Sequence, residues 1–372
     1  MNKKIAILTF HRACNYGAFL QGYALQKSLD ELPDVDAFLL DYDSHAVYRT
    51  YTQFSLLKRK ANPIKNMILE ILLFSTIWKR NRMFQRFRDL HYRVLRKNLK
   101  RDELPQAAQD YAGIVVGSDQ VWNSEITKED PSYLMRFVPP GVKKFAYAAS
   151  VGRNDLSQEE LNEIASALRS FHGISLREPD LIPKLEGILG DTPIRCDMDP
   201  VFLCSAQQWR QFSVYRSRHP YVLCFTLWNG KEFIPCKNFA RDLAHQQGLT
   251  PLLLSGDEQW FRFRDMEHFG VASPAEFVGL IDHAECVVTH SFHATAFSII
   301  LHTPFFVEMN TLYNGRLSNL LELTGLTDRV MVNGMLKQEP RPIDWDDVDA
   351  RLAGRIKDSN AYLRHIAEHC ST

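Results

Sequence analysis

The sequence predicts an α/β protein made of two halves, each built on a largely parallel sheet. Short apolar segments alternate with stretches of helical spacing along most of the 372 residues. This alternation of strand and helix is typical of parallel sheets with right-handed crossovers. Because domains usually contain roughly 100 to 200 residues, the length also predicts two domains.

The first half starts with the apolar segment from Ile5 to Phe10, a predicted strand, and continues through a polar loop into a helical pattern. Ala37 to Leu40 is the next predicted strand. Three further strands end at small, polar or charged residues: Gly113 to Val116, Phe145 to Ala149 and Gly173 to Leu176. We therefore expect the loops at the carboxyl ends of these strands to share one edge of a sheet.

The second half repeats this alternation. Its predicted strands are Val222 to Thr226, Pro251 to Leu254, Cys286 to Thr289 and Pro304 to Val307. Ser273-Pro-Ala-Glu276 is a capping box, which predicts the start of a helix. Asp344 opens an acidic segment that predicts a long terminal helix. The predicted domains are residues 1–200, with a basic amphipathic insertion at 58–101, residues 201–338, and a C-terminal helix at 339–372.

The overall charge excludes two classes of protein, because 44 basic residues balance 44 acidic ones. A globally basic nucleic-acid binder and an acidic disordered chain are both inconsistent with this balance. The charge is nevertheless segregated: residues 58–101 contain 14 basic and 2 acidic residues, a net charge of +12. This segment fits either a solvated basic helix or an amphipathic dock at an anionic membrane surface.

The cysteines and the N-terminus indicate a cytoplasmic protein. The seven cysteines are odd in number and form no Cys-x-x-Cys pair, so the sequence predicts neither a disulfide framework nor a structural zinc site. Met1-Asn-Lys-Lys has the charge of a signal peptide, but the apolar run behind it is short and reads as a first strand. We expect a cytoplasmic location. Peripheral association with the inner face of the membrane is an additional hypothesis.

Thr289-His-Ser-Phe-His293 is the most informative local motif, because it lies between a predicted strand and a predicted helix. Such a turn directs backbone N–H groups and the positive end of a helix dipole at a bound anion. His290 and His293 are then candidate proton donors near neutral pH, with Ser291 between them. The alternative is an ordinary helix start with one histidine capping or buried.

Two loops at the predicted sheet edge are candidates for substrate binding. Asn15 and Gly17 stand in the first βα loop, and Ser118 and Asp119 follow the strand that ends at Val116. Open α/β sheets bind ligands at this edge. Asp119 could accept a proton or hold a sugar hydroxyl, but an N-cap role fits the residue equally well. The first loop also fits an ordinary turn before a helix.

Arginines supply the candidate anion-binding side chains. Arg177 closes a predicted strand and suits bidentate contact with a carboxylate or a phosphate. The alternative is a surface pair with Glu178 or Asp180. Arg12 and Arg316 are weaker candidates for the same role. No metal or nucleotide fingerprint is present, so the sequence predicts a reaction without a metal or a cofactor.

Six motifs in sequence order together resemble the polysaccharide pyruvyl transferase family, over about Lys4 to Leu326. They are Asn15-Tyr-Gly-Ala-Phe-Leu-Gln21, Gly117-Ser-Asp-Gln-Val-Trp-Asn123, Tyr147-Ala-Ala-Ser-Val-Gly152, Ile174-Ser-Leu-Arg-Glu-Pro179, Asp199-Pro-Val-Phe-Leu203, and Ser291-Phe-His293 with Pro304-Phe305.

The resemblance implies two Rossmann-like domains like those of GT-B glycosyltransferases, and phosphoenolpyruvate as the donor substrate. In the implied reaction the enolpyruvyl group moves to two hydroxyls of one sugar, giving a cyclic pyruvate ketal and phosphate. His293 matches the family's general acid, and Arg177 matches a basic residue at the donor anion. The sequence departs from the pattern at Ser291, where some members have an arginine, and at Ala294, where glycine is frequent.

Two other functions compete with this one. A GT-B glycosyltransferase that uses a nucleotide sugar would share the fold, and a non-catalytic membrane-bound assembly factor would use the basic segment alone. The expected partners of the pyruvyl transferase are phosphoenolpyruvate, a sugar acceptor presented on a lipid carrier, and an anionic membrane surface through residues 58–101. No nucleic-acid partner is expected, because no reading motif accompanies the basic charge.

Overall fold

The computed structural model describes residues 2–42, 44, 46–47, 78–128, 130–153, 155–215, 217, 219–226, 233–254, 263–309 and 315–370. The described residues form two compact units. Unit 1 takes its residues from Met1–Gln53, Arg88–Cys204 and Leu352–Thr372, and unit 2 from Phe54–Phe87 and Ser205–Arg351. The predicted mixed α/β class with two parallel-sheet domains is confirmed.

Unit 1 is built on a six-stranded parallel sheet with the order β2-β1-β3-β4-β5-β6. The strands are β1 (Lys3–Leu8), β2 (Val35–Leu39), β3 (Gly113–Val116), β4 (Lys143–Ala149), β5 (Gly173–Leu176) and β6 (Ile194–Cys196). The helices are α1 (Tyr16–Asp30), α2 (residues 78–91, which begin among the residues of unit 2), α3 (Leu104–Ala108), α4 (Ser124–Thr127), α5 (Gln158–Leu168) and α6 (Ile182–Leu189).

Unit 2 is built on a seven-stranded sheet with the order β13-β12-β11-β10-β7-β8-β9, parallel except for β13. The strands are β7 (Tyr221–Phe225), β8 (Thr250–Leu254), β9 (Glu267–His268), β10 (Cys286–Thr289), β11 (Phe305–Glu308), β12 (Val330–Val332) and β13 (Met335–Leu336). The helices are α7 (Ala206–Phe212), α8 (Ile234–Gln246), α9 (Pro274–Asp282), α10 (Phe292–Leu301), α11 (Gly315–Thr324) and α12 (Trp345–His369, which belongs to unit 1 from Leu352 onward).

The central strands of both sheets are apolar because helices cover both of their faces. Ile5 to Leu8 of β1 and the whole of β3 are buried, as are β7 and β10 in unit 2. Continuous Val, Ile and Leu segments of this kind are typical of parallel sheets with two covered faces. The apolar segments predicted as strands are therefore the inner strands of the two sheets.

Each sheet reverses its strand order once near its middle. In unit 1 the reversal lies between the neighbours β1 and β3, and in unit 2 it lies between β7 and β10. Crossovers on either side of such a point leave the sheet in opposite directions, which opens a crevice at the carboxyl ends of the two strands. In each unit, this is where the fold provides space for a ligand.

The helix start predicted at Ser273 is confirmed. The Ser273 hydroxyl accepts a hydrogen bond from the Glu276 N–H at 3.2 Å, and the Glu276 carboxylate accepts one from the Ser273 N–H at 2.7 Å. The two bonds satisfy two backbone donors that a helix start leaves open. This helix, α9, leads directly into β10, so the capping box fixes the element that precedes the histidine motif.

The long terminal helix is also present, but it is not a separate final part of the molecule. From Leu352 onward α12 belongs to unit 1. The Tyr362 hydroxyl donates to the Ala146 carbonyl of β4 at 3.0 Å, and the Ser359 hydroxyl donates to Asp197 at 3.0 Å. The second half of the helix is thus part of the cover of the first sheet, because it buries Leu363 and Ile366 there.

The basic insertion is only partly within the described residues. Residues 58–77, which include most of its apolar stretch, lie outside them. The described remainder is the helix α2 followed by an irregular segment, from which Val94 and Leu99 form parallel bridges to Leu39 and Tyr42 of unit 1. The short strands at or next to the sheet edges, β6, β9, β12 and β13, were not predicted, because two or three residues give too little pattern to detect.

Candidate functional site

The loops that follow β1 and β3 in unit 1 lie at the reversal of strand order, on the sheet edge that the sequence predicts for them. Asn15 is the N-cap of α1, and its side-chain oxygen accepts a hydrogen bond from the Ala18 N–H at 3.1 Å. Gly17 lies in the first turn of the same helix and is buried. The structure therefore gives both residues a role in starting α1, and their contact with a substrate stays a prediction.

Ser118 is held from three directions. Its hydroxyl donates to the Ala148 carbonyl at 2.7 Å and accepts from the Arg177 guanidinium. Its carbonyl accepts from the Thr9 hydroxyl at 3.0 Å, and that hydroxyl accepts from the Gln21 amide at 2.8 Å. Thr9 after β1, Gln21 of α1 and Arg177 after β5 thus fix the loop that follows β3, an arrangement that preorganises whatever this loop binds.

Asp119 has an unusual backbone conformation for a non-glycine residue. Its φ is 75°, and nearby Gly117 and Ala148 have φ values of 112° and 41°. Strained backbone of this kind clusters at functional sites, where the surrounding structure holds it in place. The N-cap of the following helix α4 is Asn123. Asp119 is therefore not that cap, and its buried carboxylate lies 4.0 Å from Arg177 Nη1.

Arg177 forms a buried ion pair that the sequence reading did not foresee. Its Nη2 lies 2.6 Å from Asp199 Oδ2, and both side chains are almost fully buried. The expected alternatives, Glu178 and Asp180, do not take this place: Glu178 instead accepts hydrogen bonds from the Ser150 hydroxyl and from the Gly152 N–H. Arg177 therefore joins Ser118, Asp119 and Asp199 in one cluster, and its contact with a donor anion stays a prediction.

A second buried charge cluster follows β1. His11 Nδ1 lies 3.1 Å from the Thr9 carbonyl oxygen, and its Nε2 lies 2.8 Å from Asp41 Oδ1. Arg12 contacts both Asp41 oxygens, at 2.7 and 2.6 Å. Although burial opposes it, these hydrogen bonds hold the pKa of the Asp41 carboxyl far below its usual range. Arg12 is thus a structural partner of Asp41.

In unit 2 the histidine motif forms the turn from β10 into α10, as predicted. Ser291 is the N-cap, and its hydroxyl accepts from the Ala294 N–H at 3.4 Å. Thr289 supports the turn, because its hydroxyl donates to the Phe225 carbonyl at 2.8 Å and accepts from the Ser291 N–H at 3.0 Å. Ser291 therefore starts the helix, and a substrate contact from its side chain stays a prediction.

His293 lies in the first turn of α10, where the helix dipole is positive. It is 9% exposed, and its ring meets that of Phe292 edge-on at 5.2 Å. The Arg316 guanidinium, in the first turn of α11, lies 5.8 Å from the centre of the same Phe292 ring. The structure thus brings the predicted acid, a helix N-terminus and a predicted cation into one region of unit 2.

The prediction that His290 is a proton donor near neutral pH is wrong. Its ring stacks on Phe233, with 3.9 Å between the ring centres. Burial, and next the positive charge of Lys237, lower the pKa of His290 to about 3. The ring is therefore neutral at neutral pH and offers one N–H donor instead of a transferable second proton. The low pKa of His290 results from burial of its ring after the strand end, and the sequence alone does not show this burial.

Lys237 is a functional candidate that the sequence reading missed. It lies in the first turns of α8 and is 1% exposed, with its Nζ 5.3 Å from the centre of the Phe263 ring. Lysine is rarely buried to this degree. Its only signal in the sequence is a cation on the otherwise apolar face that carries Cys236 and Ala240, a pattern too weak to identify without the fold.

Neither metal ligation nor membrane crossing is found in the described part of the chain. No three side chains of histidine, cysteine, aspartate or glutamate come together there in a way that could hold a metal ion. Among the same residues, no helix combines the length and the apolar character needed to cross a bilayer.

Comparisons with known proteins identify one family and one fold. The family model for polysaccharide pyruvyl transferase matches residues 15–310. No curated protein matches the sequence. UDP-GlcNAc 2-epimerase from Methanocaldococcus jannaschii is similar in structure, with a TM-score of 0.51 and 10% identity over 99% of this chain and all of its own. The complex of this epimerase with UDP-GlcNAc and UDP has a TM-score of 0.50 and 10% identity, and the match covers 99% of this chain and 100% of that chain.

A third similar structure, S. aureus MnaA with UDP, has a TM-score of 0.49 and 14% identity over 99% of this chain and 91% of its own. At such identities the likeness concerns the fold alone. The prediction of two Rossmann-like domains like those of GT-B glycosyltransferases is confirmed.

The Arg177–Asp199 pair yields a test of stability. We expect Asp199→Asn to lower the free energy of unfolding by about 3 kcal/mol, because it leaves the buried guanidinium without its charge partner. Urea denaturation measures the change, and Asp191→Asn, at an exposed position of the same unit, is the matched control. An Asp199→Asn protein as stable as the control would contradict the account.

His290 predicts a pH dependence of stability. The unfolded chain takes up a proton on this ring below its ordinary pKa of 6.5, whereas the folded protein does so only near 3. The contribution of His290 to the free energy of unfolding is therefore fully present above pH 6.5. It decreases by about 1 kcal/mol per pH unit as the pH falls through this window. Denaturation at several pH values should show a shallower loss in His290→Gln than in the wild type. The variant His245→Gln, at an exposed position of the same unit, should keep the wild-type slope, and equal slopes for all three proteins would refute the prediction.

Proposed function

The chain belongs to the polysaccharide pyruvyl transferase family, and from this membership we propose that it moves the enolpyruvyl group of phosphoenolpyruvate onto two hydroxyls of one sugar. The products are a cyclic pyruvate ketal and inorganic phosphate. The observation that supports the proposal most is His293 in the first turn of α10, because it combines a proton donor with the positive end of a helix.

The proposed chemistry begins with His293. The imidazolium donates a proton to the methylene carbon of phosphoenolpyruvate, which takes it with the electron pair of the double bond. The neighbouring carbon becomes an oxocarbenium-like centre, and the first sugar hydroxyl attacks it with loss of its proton. The second hydroxyl then replaces phosphate, which leaves with the electron pair of the C–O bond and accepts the remaining proton. No redox partner is needed for this balance.

The donor is highly anionic, so cations and backbone donors should contribute most of its binding. In unit 2 the N-terminus of α10 and Arg316 beside Phe292 are suited to the donor carboxylate. This assignment is supported by the Phe292 ring, which contacts both the Arg316 guanidinium and the His293 ring. It also offers a replacement for the arginine that some relatives have where this chain has Ser291.

In unit 1 we assign Asp119 as the base that accepts the proton of the acceptor hydroxyl. Support comes from its strained backbone and from its place at the reversal of strand order. Arg177 is then a positioning residue, because its guanidinium already binds Asp199 and the Ser118 hydroxyl.

The acceptor is proposed to be a saccharide on a lipid carrier, met at an anionic membrane surface. Support comes from α2, where Trp78 is 53% exposed with the Arg82 guanidinium 5.0 Å from the centre of its ring, and Leu90 is 74% exposed. Aromatic and basic side chains that share an exposed helix are typical of binding at the membrane interface. The protein is then peripheral at the inner face of the membrane.

Turnover tests the proposed acid and base. Purified protein is incubated with phosphoenolpyruvate and a galactose- or mannose-containing acceptor, and phosphate release and the mass of the ketal are measured. We expect His293→Ala and Asp119→Asn each to lower the rate at least about a hundredfold, since general acid–base groups contribute about that much. His302→Ala, at the other end of α10, is the matched control and should keep the wild-type rate.

Full turnover by His293→Ala would remove the acid assignment, and full turnover by Asp119→Asn would remove the base. The same protein is also given UDP- and GDP-sugars with the acceptor. Sugar transfer from one of these donors, without a reaction of phosphoenolpyruvate, would replace the proposal with a GT-B glycosyltransferase.

Membrane binding is tested on vesicles of phosphatidylglycerol and of phosphatidylcholine. Replacing Lys79, Arg80, Arg82 and Arg86 by Gln should weaken sedimentation with the anionic vesicles at least about tenfold, since each basic residue near such a surface contributes about 1 kcal/mol. The control replaces four exposed basic residues elsewhere: Lys128, Lys337, Lys357 and Arg364. Equal binding by both variants would exclude α2 as the dock.

A further inference from the structure

Two buried polar side chains flank the reversal of strand order in unit 2. Helix α8 follows β7, and His290 follows β10, and these two strands are neighbours in the sheet. Lys237 lies in the first turns of α8, and Phe233, the N-cap of that helix, stacks on His290. Lys237, His290 and the N-terminus of α8 therefore meet where an open α/β sheet binds its ligand.

Lys237 places an ammonium group close to the positive N-terminal end of helix α8. The N-terminus of a helix of 13 residues carries a positive potential, which disfavours a cation in its first turns. The side chain is nevertheless 1% exposed and lies among the apolar residues around Cys236, with its Nζ near the Phe263 ring. An anion bound at this helix end would be attracted by the backbone N–H groups of the first turn and by the ammonium of Lys237.

His290 supplies an independent indication of a ligand. Within the described part of the chain, neither ring nitrogen has a hydrogen-bond partner, although both are buried. A buried polar group without a partner costs free energy, so it usually meets a water, an ion or a ligand. The stacked Phe233 ring fixes the plane of the imidazole, whose N–H is a directed donor beside Lys237.

The N-cap of α8 adds further donors. Phe233 has no side chain that could cap the helix, and Pro235 has no backbone N–H. The N–H groups of Ile234 and Cys236 belong to the first turn, whose donors have no partner within the helix. Backbone N–H groups, an ammonium and an imidazole N–H together form the set of donors that a phosphate group accepts from.

We propose that Lys237 and His290, with the N-terminus of α8, bind the phosphate group of the donor substrate. The identity of the donor rests on the proposed function. The presence of the site rests on the geometry of unit 2. In that role Lys237 and His290 hold the group that leaves as inorganic phosphate. The phosphate is then separated from the donor carboxylate, which Arg316 and α10 bind.

The experiment is a titration of the intact protein with inorganic phosphate, phosphoenolpyruvate and UDP. The protein carries ¹⁵N-labelled histidine, and the imidazole resonances and the dissociation constants are measured. Lys237→Met removes the charge but keeps the length of the buried side chain. We expect it to weaken binding of phosphate and phosphoenolpyruvate at least about tenfold, as the loss of a charged hydrogen bond does. The His290 resonance should shift on addition of either ligand in the wild type.

Matched variants separate binding from folding. Lys337→Gln, at an exposed position of the same unit, should bind both ligands like the wild type. Lys237→Arg should retain phosphate binding, and His290→Gln, which keeps a donor, should weaken it less than His290→Phe. If Lys237→Met does not fold, the comparison of the two His290 variants decides the question.

Several outcomes overturn the site. Unchanged phosphate affinity in Lys237→Met, or an unshifted His290 resonance at saturating phosphate, contradicts it whatever the turnover assay shows. Binding of UDP alone would assign the site to a diphosphate and contradict the phosphoenolpyruvate donor. Phosphate binding that depends on Lys237, in a protein that does not transfer pyruvate, would support the anion site and refute only the proposed function.

Discussion

The reversal of strand order in each parallel sheet is the constraint on which the candidate sites depend. Helices cover both faces of such a sheet, so the space left for a ligand is where neighbouring crossovers diverge. In unit 1 this point lies between β1 and β3, and the loops that follow these strands hold Asn15, Ser118 and Asp119. In unit 2 it lies between β7 and β10, which lead to Lys237 and to His290 and His293.

The charged side chains of these units differ in how far they are exposed to water. The net charge of zero hides a basic segment at residues 58–101 and, inside the units, cations that are buried. Arg177 pairs with Asp199, and the Arg12 guanidinium and the His11 ring both contact Asp41, so these contacts hold loops of unit 1 in place. Lys237 lies in the first turns of α8, near His290, and these two residues belong to the proposed phosphate site.

The sequence was sufficient for the fold class and for the position of the histidine motif, because inner strands and capping boxes are local patterns. The Ser273 box and the strand Cys286–Thr289 are found where they were predicted. The pairing of Arg177 with Asp199 could not be predicted, since it joins residues that follow different strands. The low pKa of His290 likewise comes from burial and from a lysine on another helix, which only the fold brings near.

The central claim is that His293 protonates the methylene carbon of phosphoenolpyruvate during transfer to a sugar. Its most direct test is the reaction run in D₂O with unlabelled donor and acceptor, with the product analysed by NMR. The account predicts a pyruvate ketal whose methyl group carries one solvent deuterium, formed together with inorganic phosphate. A ketal methyl without deuterium would contradict proton donation from an exchangeable group, and a product without the ketal would contradict pyruvyl transfer itself.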